Sequence, residues 1–126
     1  MHYDLLAKIK NAGMARKEGF VTRYSGLNHA IAQALVRTGY LKSVAVKSGS
    51  SKSFLEVKIA YKAGRPAMHD FRILSKPGRR LYSGVSQLSS VRQGYGIGVL
   101  TTPSGVMTTD EARKEKVGGE YLFQIW

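Results

Sequence analysis

Leu55-Glu56-Val57-Lys58-Ile59-Ala60-Tyr61-Lys62 alternates apolar residues with polar or small ones along its whole length. Side chains of a strand point to opposite faces with a period of two, so this stretch reads as a half-buried strand. Just before it, Lys47 to Ser53 is a polar turn, and Leu41, Val44 and Val46 mark an earlier strand. Ahead of Gly39 the period changes. Leu27, Ile31, Ala34 and Leu35 fall on one side of a helix, with Ser25 placed to cap it and Gly39 to end it. Leu5, Leu6, Ile9 and Ala12 repeat that spacing over residues 3–12, and Gly13 is a plausible stop. Residues 16–23 read as a connector. Helix, helix, strand, strand is a small α+β unit with two helices on one face of an antiparallel sheet.

Forward of the strand, Lys62-Ala63-Gly64-Arg65-Pro66 combines Gly, Pro and charge, and the architecture changes after it. The expectation is a domain over residues 1–64 and a second, mostly antiparallel β domain with short helices over residues 65–126. Asp70 to Leu74 reads as a strand. Ser75-Lys76-Pro77-Gly78-Arg79-Arg80-Leu81-Tyr82 reads as a hairpin whose Pro77-Gly78 suits a type II turn. Leu88 and Val91 suggest a short helix between Ser86 and Arg92. Gly94-Tyr95-Gly96-Ile97-Gly98 leads into an apparent strand and lacks a third glycine at the right spacing, so it is no dinucleotide fingerprint. Its glycines suit a close approach or a bulge. Glu120 to Trp126 reads as a final strand.

Between them, Leu100-Thr101-Thr102-Pro103-Ser104-Gly105-Val106-Met107-Thr108-Thr109-Asp110-Glu111 reads as a strand exit, a hydroxyl-rich turn and a helix start. Thr108 and Glu111 have capping-box spacing. Gly105 can supply a positive φ. Thr101, Thr102, Ser104 and Gly105 would present hydroxyls and bare backbone on a held frame, a shape that can dock against an RNA minor groove; as a plain connector the same loop would do nothing further.

The 126 residues carry a net charge of +12, with no cysteine. Disulfides and thiolate chemistry are excluded. No apolar run approaches membrane-spanning length, and the absence of a signal segment points to the cytoplasm. Such a charge implies a polyanionic partner. Residues 1–94 hold 17 Lys and Arg against 4 acids, whereas residues 95–126 hold 3 against 4. The basic part would supply phosphate attraction and the near-neutral loop would supply fit. Lys76, Arg79 and Arg80 with Tyr82 interleave cations and an aromatic ring, which suits phosphate contact and base stacking; the alternative is a solvated hairpin with Tyr82 in the core. Lys8 and Lys10 lie off the apolar stripe of the first helix, either as a solvated face or as phosphate contacts. His2, His29 and His69 form no cluster with metal spacing, and no cofactor motif is present. No nucleophile or acid/base constellation stands out, and Asp110 and Glu111 suit helix N-terminal charges.

Several spaced motifs together resemble the family of the eighth protein of the bacterial small ribosomal subunit. They are Gly105-Val106-Met107-Thr108 through Glu111-Ala112-Arg113, Val117-Gly118-Gly119-Glu120 and Trp126, with support from Ile9-Lys10-Asn11-Ala12, Gly39-Tyr40, the Ser75 to Arg80 run with Tyr82, and Gly96-Ile97. The resemblance implies a cytoplasmic, non-enzymatic constituent of the ribosome. It implies direct binding to the central domain of 16S ribosomal RNA, support of platform assembly, and neighbouring small-subunit proteins as partners. It implies that the hydroxyl loop before Gly105 and Tyr82 touch an irregular RNA helix, and that Glu120 shapes that surface. Some members of the family also bind their own messenger RNA as repressors. The family's loop commonly carries a third hydroxyl where this chain has Pro103. Two other classes remain open on the residues alone, a free regulatory module acting on messenger RNA and a small enzyme acting on RNA.

Overall fold

A computed structural model describes residues 2–87 and 96–126. The chain is α+β and divides into two compact units, residues 1–69 and 70–126. The division falls after His69, not at Gly64. Residues 61–66 belong to the first unit because Tyr61–Lys62 and Arg65–Pro66 pair as a tight hairpin. Ala63 and Gly64 at its tip both take positive φ, the pattern of a type I′ turn.

In the first unit, α1 spans His2–Met14 and buries Leu5, Leu6, Ile9 and Ala12. β1 spans Gly19–Arg23, within what the sequence suggests is a connector. α2 spans Gly26–Arg37, with the Ser25 hydroxyl accepting from the Asn28 N–H at 3.0 Å. It buries Ile31, Ala34 and Leu35, but Leu27 in its first turn lies ahead of that stripe and is exposed. β2 (Leu41–Ser48) and β3 (Ser53–Ile59) follow, and the order across the sheet is β1-β3-β2, all antiparallel. β3 is central, so its Leu55, Val57 and Ile59 face the helices and are buried. The small strands β4 (Tyr61–Lys62) and β5 (Arg65–Pro66) close the unit.

The second unit is built on β10 (Gly119–Ile125). One edge of β10 pairs with β8 (Ile97–Thr102), which in turn pairs with β9 (Gly105–Thr108). The other edge takes β6 (Phe71–Ile73) along Phe123 to Ile125 and β7 (Tyr82–Ser83) along Gly119 and Glu120. All pairings are antiparallel. A bulge at Leu122 interrupts β10, and its carbonyl accepts from the N–H groups of Leu74 and Ser75. α3 (Thr109–Glu115) packs Ala112 onto Leu100 and Tyr121, flanked by Leu74, Met107 and Val117. β9 was not expected; its four residues stand between the turn and the helix. A turn of 3₁₀ helix spans Val85–Gln87, and the rest of the helix expected to Arg92 lies outside the described residues, as do Gly94 and Tyr95.

A candidate nucleic-acid interface

Register decides what stands together. Tyr82 lies opposite Glu120, Glu120 opposite Thr101, and Thr101 opposite Val106. Directly paired residues share one face of a sheet, so these four form a row across β7, β10, β8 and β9. Tyr82 is 67% exposed, which excludes the core alternative for its ring. Thr101 is half-buried.

Beside that row, Ser75 and Leu81 form a neck. The Ser75 hydroxyl, itself buried, donates to the Glu120 carboxylate and accepts from the Leu81 N–H at 3.2 Å. The Leu81 carbonyl accepts from the Tyr121 N–H at 2.9 Å. Between these anchors, residues 76–80 run out as a turn. Lys76 and Arg79 exchange backbone hydrogen bonds of 3.0 and 2.9 Å around Pro77-Gly78. Gly78 does not take the positive φ that a type II turn requires there, so the expected turn type is not formed. Arg80 folds back, its guanidinium 3.3 Å from the Glu120 carboxylate, whose side chain is only 13% exposed. Lys76 and Arg79 are exposed and meet no carboxylate among the described residues. Ser75 is a site residue that sequence reasoning did not single out, since nothing local announces its partner 45 residues away.

The hydroxyl hairpin is held at both ends. Pro103 cannot adopt the positive φ of the common two-residue hairpin turns, and Gly105 takes φ +117 immediately after Pro103-Ser104. Thr102 is buried. Its hydroxyl accepts the Ser104 N–H at 3.1 Å and donates to the Gly105 carbonyl at 2.8 Å. The expectation that Thr102 offers its hydroxyl outward therefore gives way to a role in holding the turn, while Pro103, Ser104 and Gly105 form the exposed tip. At the far end, Thr108 ends β9 and caps α3 without an intervening loop. Its hydroxyl accepts from the Glu111 N–H at 3.2 Å, and the Glu111 carboxylate accepts from the Thr108 N–H at 2.9 Å. Behind the row, burial raises the Tyr121 phenol above its ordinary value, opposed by a hydrogen bond from Gln124 and the charge of Arg113.

Lys8 and Lys10 stand on α1 in the first unit and form no part of this sheet. Lys8 donates to the Thr22 hydroxyl at 2.9 Å. Lys10 lines a shallow groove with Arg16 and His69. Among the described residues, no group of three or more His, Asp or Glu could hold a metal ion, and no helix is long and apolar enough to cross a membrane.

A basic turn, an exposed ring and a pinned hairpin are carried together on the sheet of the second unit. The chain belongs to the ribosomal protein S8 family, whose model matches residues 3–126. It is 41% identical over 123 residues to the small ribosomal subunit protein uS8 of Mycoplasmopsis agalactiae, covering 98% of this chain and 94% of that protein. The uS8 protein of Leptothrix cholodnii is 42% identical over 122 residues, covering 97% and 93%. That of Persephonella marina is 42% identical over 129 residues, covering 98% and 95%.

Proposed function

We propose that this chain is a structural, non-enzymatic constituent of the small ribosomal subunit, acting in the ribosome in the cytoplasm. It binds the central domain of 16S ribosomal RNA directly and supports assembly of the platform side, next to other small-subunit proteins. The observation that carries this reading is the row Tyr82–Glu120–Thr101 flanked by the basic turn. Lys76 and Arg79 attract phosphate without reading sequence, while the Tyr82 ring, the Thr101 hydroxyl and the Ser104 tip meet one particular RNA surface. Glu120 orients Arg80 and Ser75 rather than facing phosphate. Its like charge would repel the backbone if it were not already engaged.

Footprinting the pure protein on small-subunit RNA tests this. Protection confined to one irregular helix of the central domain, together with retention on the subunit after a high-salt wash, is the expected result. Diffuse protection of every duplex would refute it. Competition between the ribosomal fragment and the chain's own messenger RNA tests whether the same surface also takes that RNA.

A further inference from the structure

The sheet of the first unit has a second side. α1 and α2 lie against the side that carries Leu55, Val57 and Ile59, so alternation sends Phe54 and its paired neighbours the other way. Phe54 is paired with Arg23 on β1 and with Lys47 on β2. The three form a row with the ring in the middle and a cation on either side. Phe54 is 36% exposed and Val21, on the same side two residues from Arg23, is 59% exposed. Lys52 enters at the end of this row, where it shares a shallow depression with Arg23, Tyr24 and Ser53. A Cβ at Gly49 would sit 3.1 Å from the Lys52 carbonyl oxygen and 3.4 Å from the Phe54 ring, so the turn between β2 and β3 runs close beside that ring. No carboxylate pairs with Arg23, Lys47 or Lys52 among the described residues. Residues 1–69 hold 12 Lys and Arg against 3 acids.

We propose that the Arg23–Phe54–Lys47 row is a second RNA site, one that takes a single-stranded nucleotide with its base on the Phe54 ring and its flanking phosphates on Arg23 and Lys47. Adjacent strands lie about 5 Å apart, so the two long cations reach past both edges of a base seated on the ring. An unpaired base is the ligand that fits an aromatic surface with cations on both sides, because every base has a face to stack and a phosphate on either side. A duplex would offer phosphates to the cations and nothing to the ring. The inference takes from the proposed function only that the partner is RNA, and none of the residues of the second unit enters it.

The test uses the full chain and a single-stranded oligouridylate carrying 5-bromouridine. Irradiation should crosslink the peptide that contains Phe54. Phe54→Ala should weaken binding at least about fivefold, the lower end for one base–aromatic stack, and Phe54→Tyr should restore it. Replacing Arg23 and Lys47 together by alanine should reduce the log–log salt slope by about 1.4, the share of two phosphates on a single strand. Tyr82→Ala should leave the Phe54 crosslink intact, so failure of the second-unit surface and failure of this one read differently. Crosslinks confined to residues 70–126, or equal binding by the wild type and Phe54→Ala, would overturn the proposal. So would an oligoglutamate peptide whose binding falls in Phe54→Ala while RNA binding does not, because the row would then be a protein dock.

Discussion

The Thr102 hydroxyl donates to the Gly105 carbonyl at 2.8 Å, spanning the turn on which Pro103 and Ser104 stand. Thr102→Ala removes that bond and the one from the Ser104 N–H, and should destabilise the second unit by about 1–2 kcal/mol. Its effect on RNA binding should be indirect. Ser104→Ala, at the exposed tip, should leave the melting temperature unchanged and weaken the cognate RNA more than a scrambled duplex. Paired melts and titrations of the two variants separate turn-holding from contact. A stable Thr102→Ala would contradict the assignment.

Glu120 should tolerate glutamine better than alanine. Glu120→Ala leaves the buried Ser75 hydroxyl without its acceptor and releases Arg80, which should cost about 1–3 kcal/mol. Glu120→Gln keeps an acceptor for both. Chemical denaturation of the two variants gives the comparison, and equal stability would mean the carboxylate is not structural.

Salt dependence should divide the basic turn. Lys76→Ala with Arg79→Ala removes two charges that no carboxylate among the described residues holds, and should flatten the log–log salt slope by about 1.4–1.8 while preserving preference among RNAs. Arg80→Ala should also change that preference, because the Glu120 carboxylate keeps Ser75 but loses its cationic partner. Titrations of cognate and scrambled RNA at several salt concentrations read both effects.

Gly119→Ala should be more damaging than Gly98→Ala. A Cβ at Gly119 would lie 2.1 Å from the Thr101 carbonyl oxygen and 3.1 Å from the Thr102 Cα, which is backbone and cannot yield without spoiling the β8–β10 pairing. At Gly98 the obstruction is the Tyr121 phenol at 2.1 Å and a Thr109 methyl at 2.7 Å, side chains that can move. The second substitution should cost about 1–3 kcal/mol and the first more. Thermal melts of both variants check the order.

Stability should fall as pH climbs past about 10. Burial holds the Tyr121 phenol above its ordinary value of 10.0, and Tyr40 shifts the same way for the same reason. The unfolded chain then sheds these protons first, so it binds fewer than the folded chain and gains as pH rises. The stability is fully present below the unfolded value and is lost as pH passes through the folded one. Tyr121→Phe should blunt the alkaline decline, read as denaturation midpoints across an alkaline series. An unchanged decline would exclude Tyr121 as a source.

What the sequence made legible was local. Ser25 before α2 and Thr108 with Glu111 are caps whose partners lie within three residues, and the alternation through Leu55, Val57 and Ile59 follows from one buried face. β1 escaped notice because a short strand is defined by the partner it pairs with, and β3 lies in a later part of the chain; β9 did so because its few residues, between a tight turn and a helix cap, are too short for a period of two to show. The charge asymmetry and the motif residues named the candidate surface. The row of Tyr82, Glu120 and Thr101 was hidden until register set three distant residues side by side. Thr102 shows the same limit at closer range: its type and position were right for a contact, but the direction of its hydroxyl is a matter of backbone geometry.

The neck between Ser75 and Leu81 has an evolutionary consequence. Residues 76–80 leave the sheet and return through two anchored points, so the register of β10 does not depend on what lies between them. Such an excursion is an exchangeable cassette. It can be lengthened, shortened or recharged between Lys76 and Arg79 while the neck, the Arg80–Glu120 pair and the sheet stay as they are. A cassette from a relative should be portable into this chain whenever its ends meet the same Ser75–Leu81 gate and it keeps the arginine that reaches Glu120.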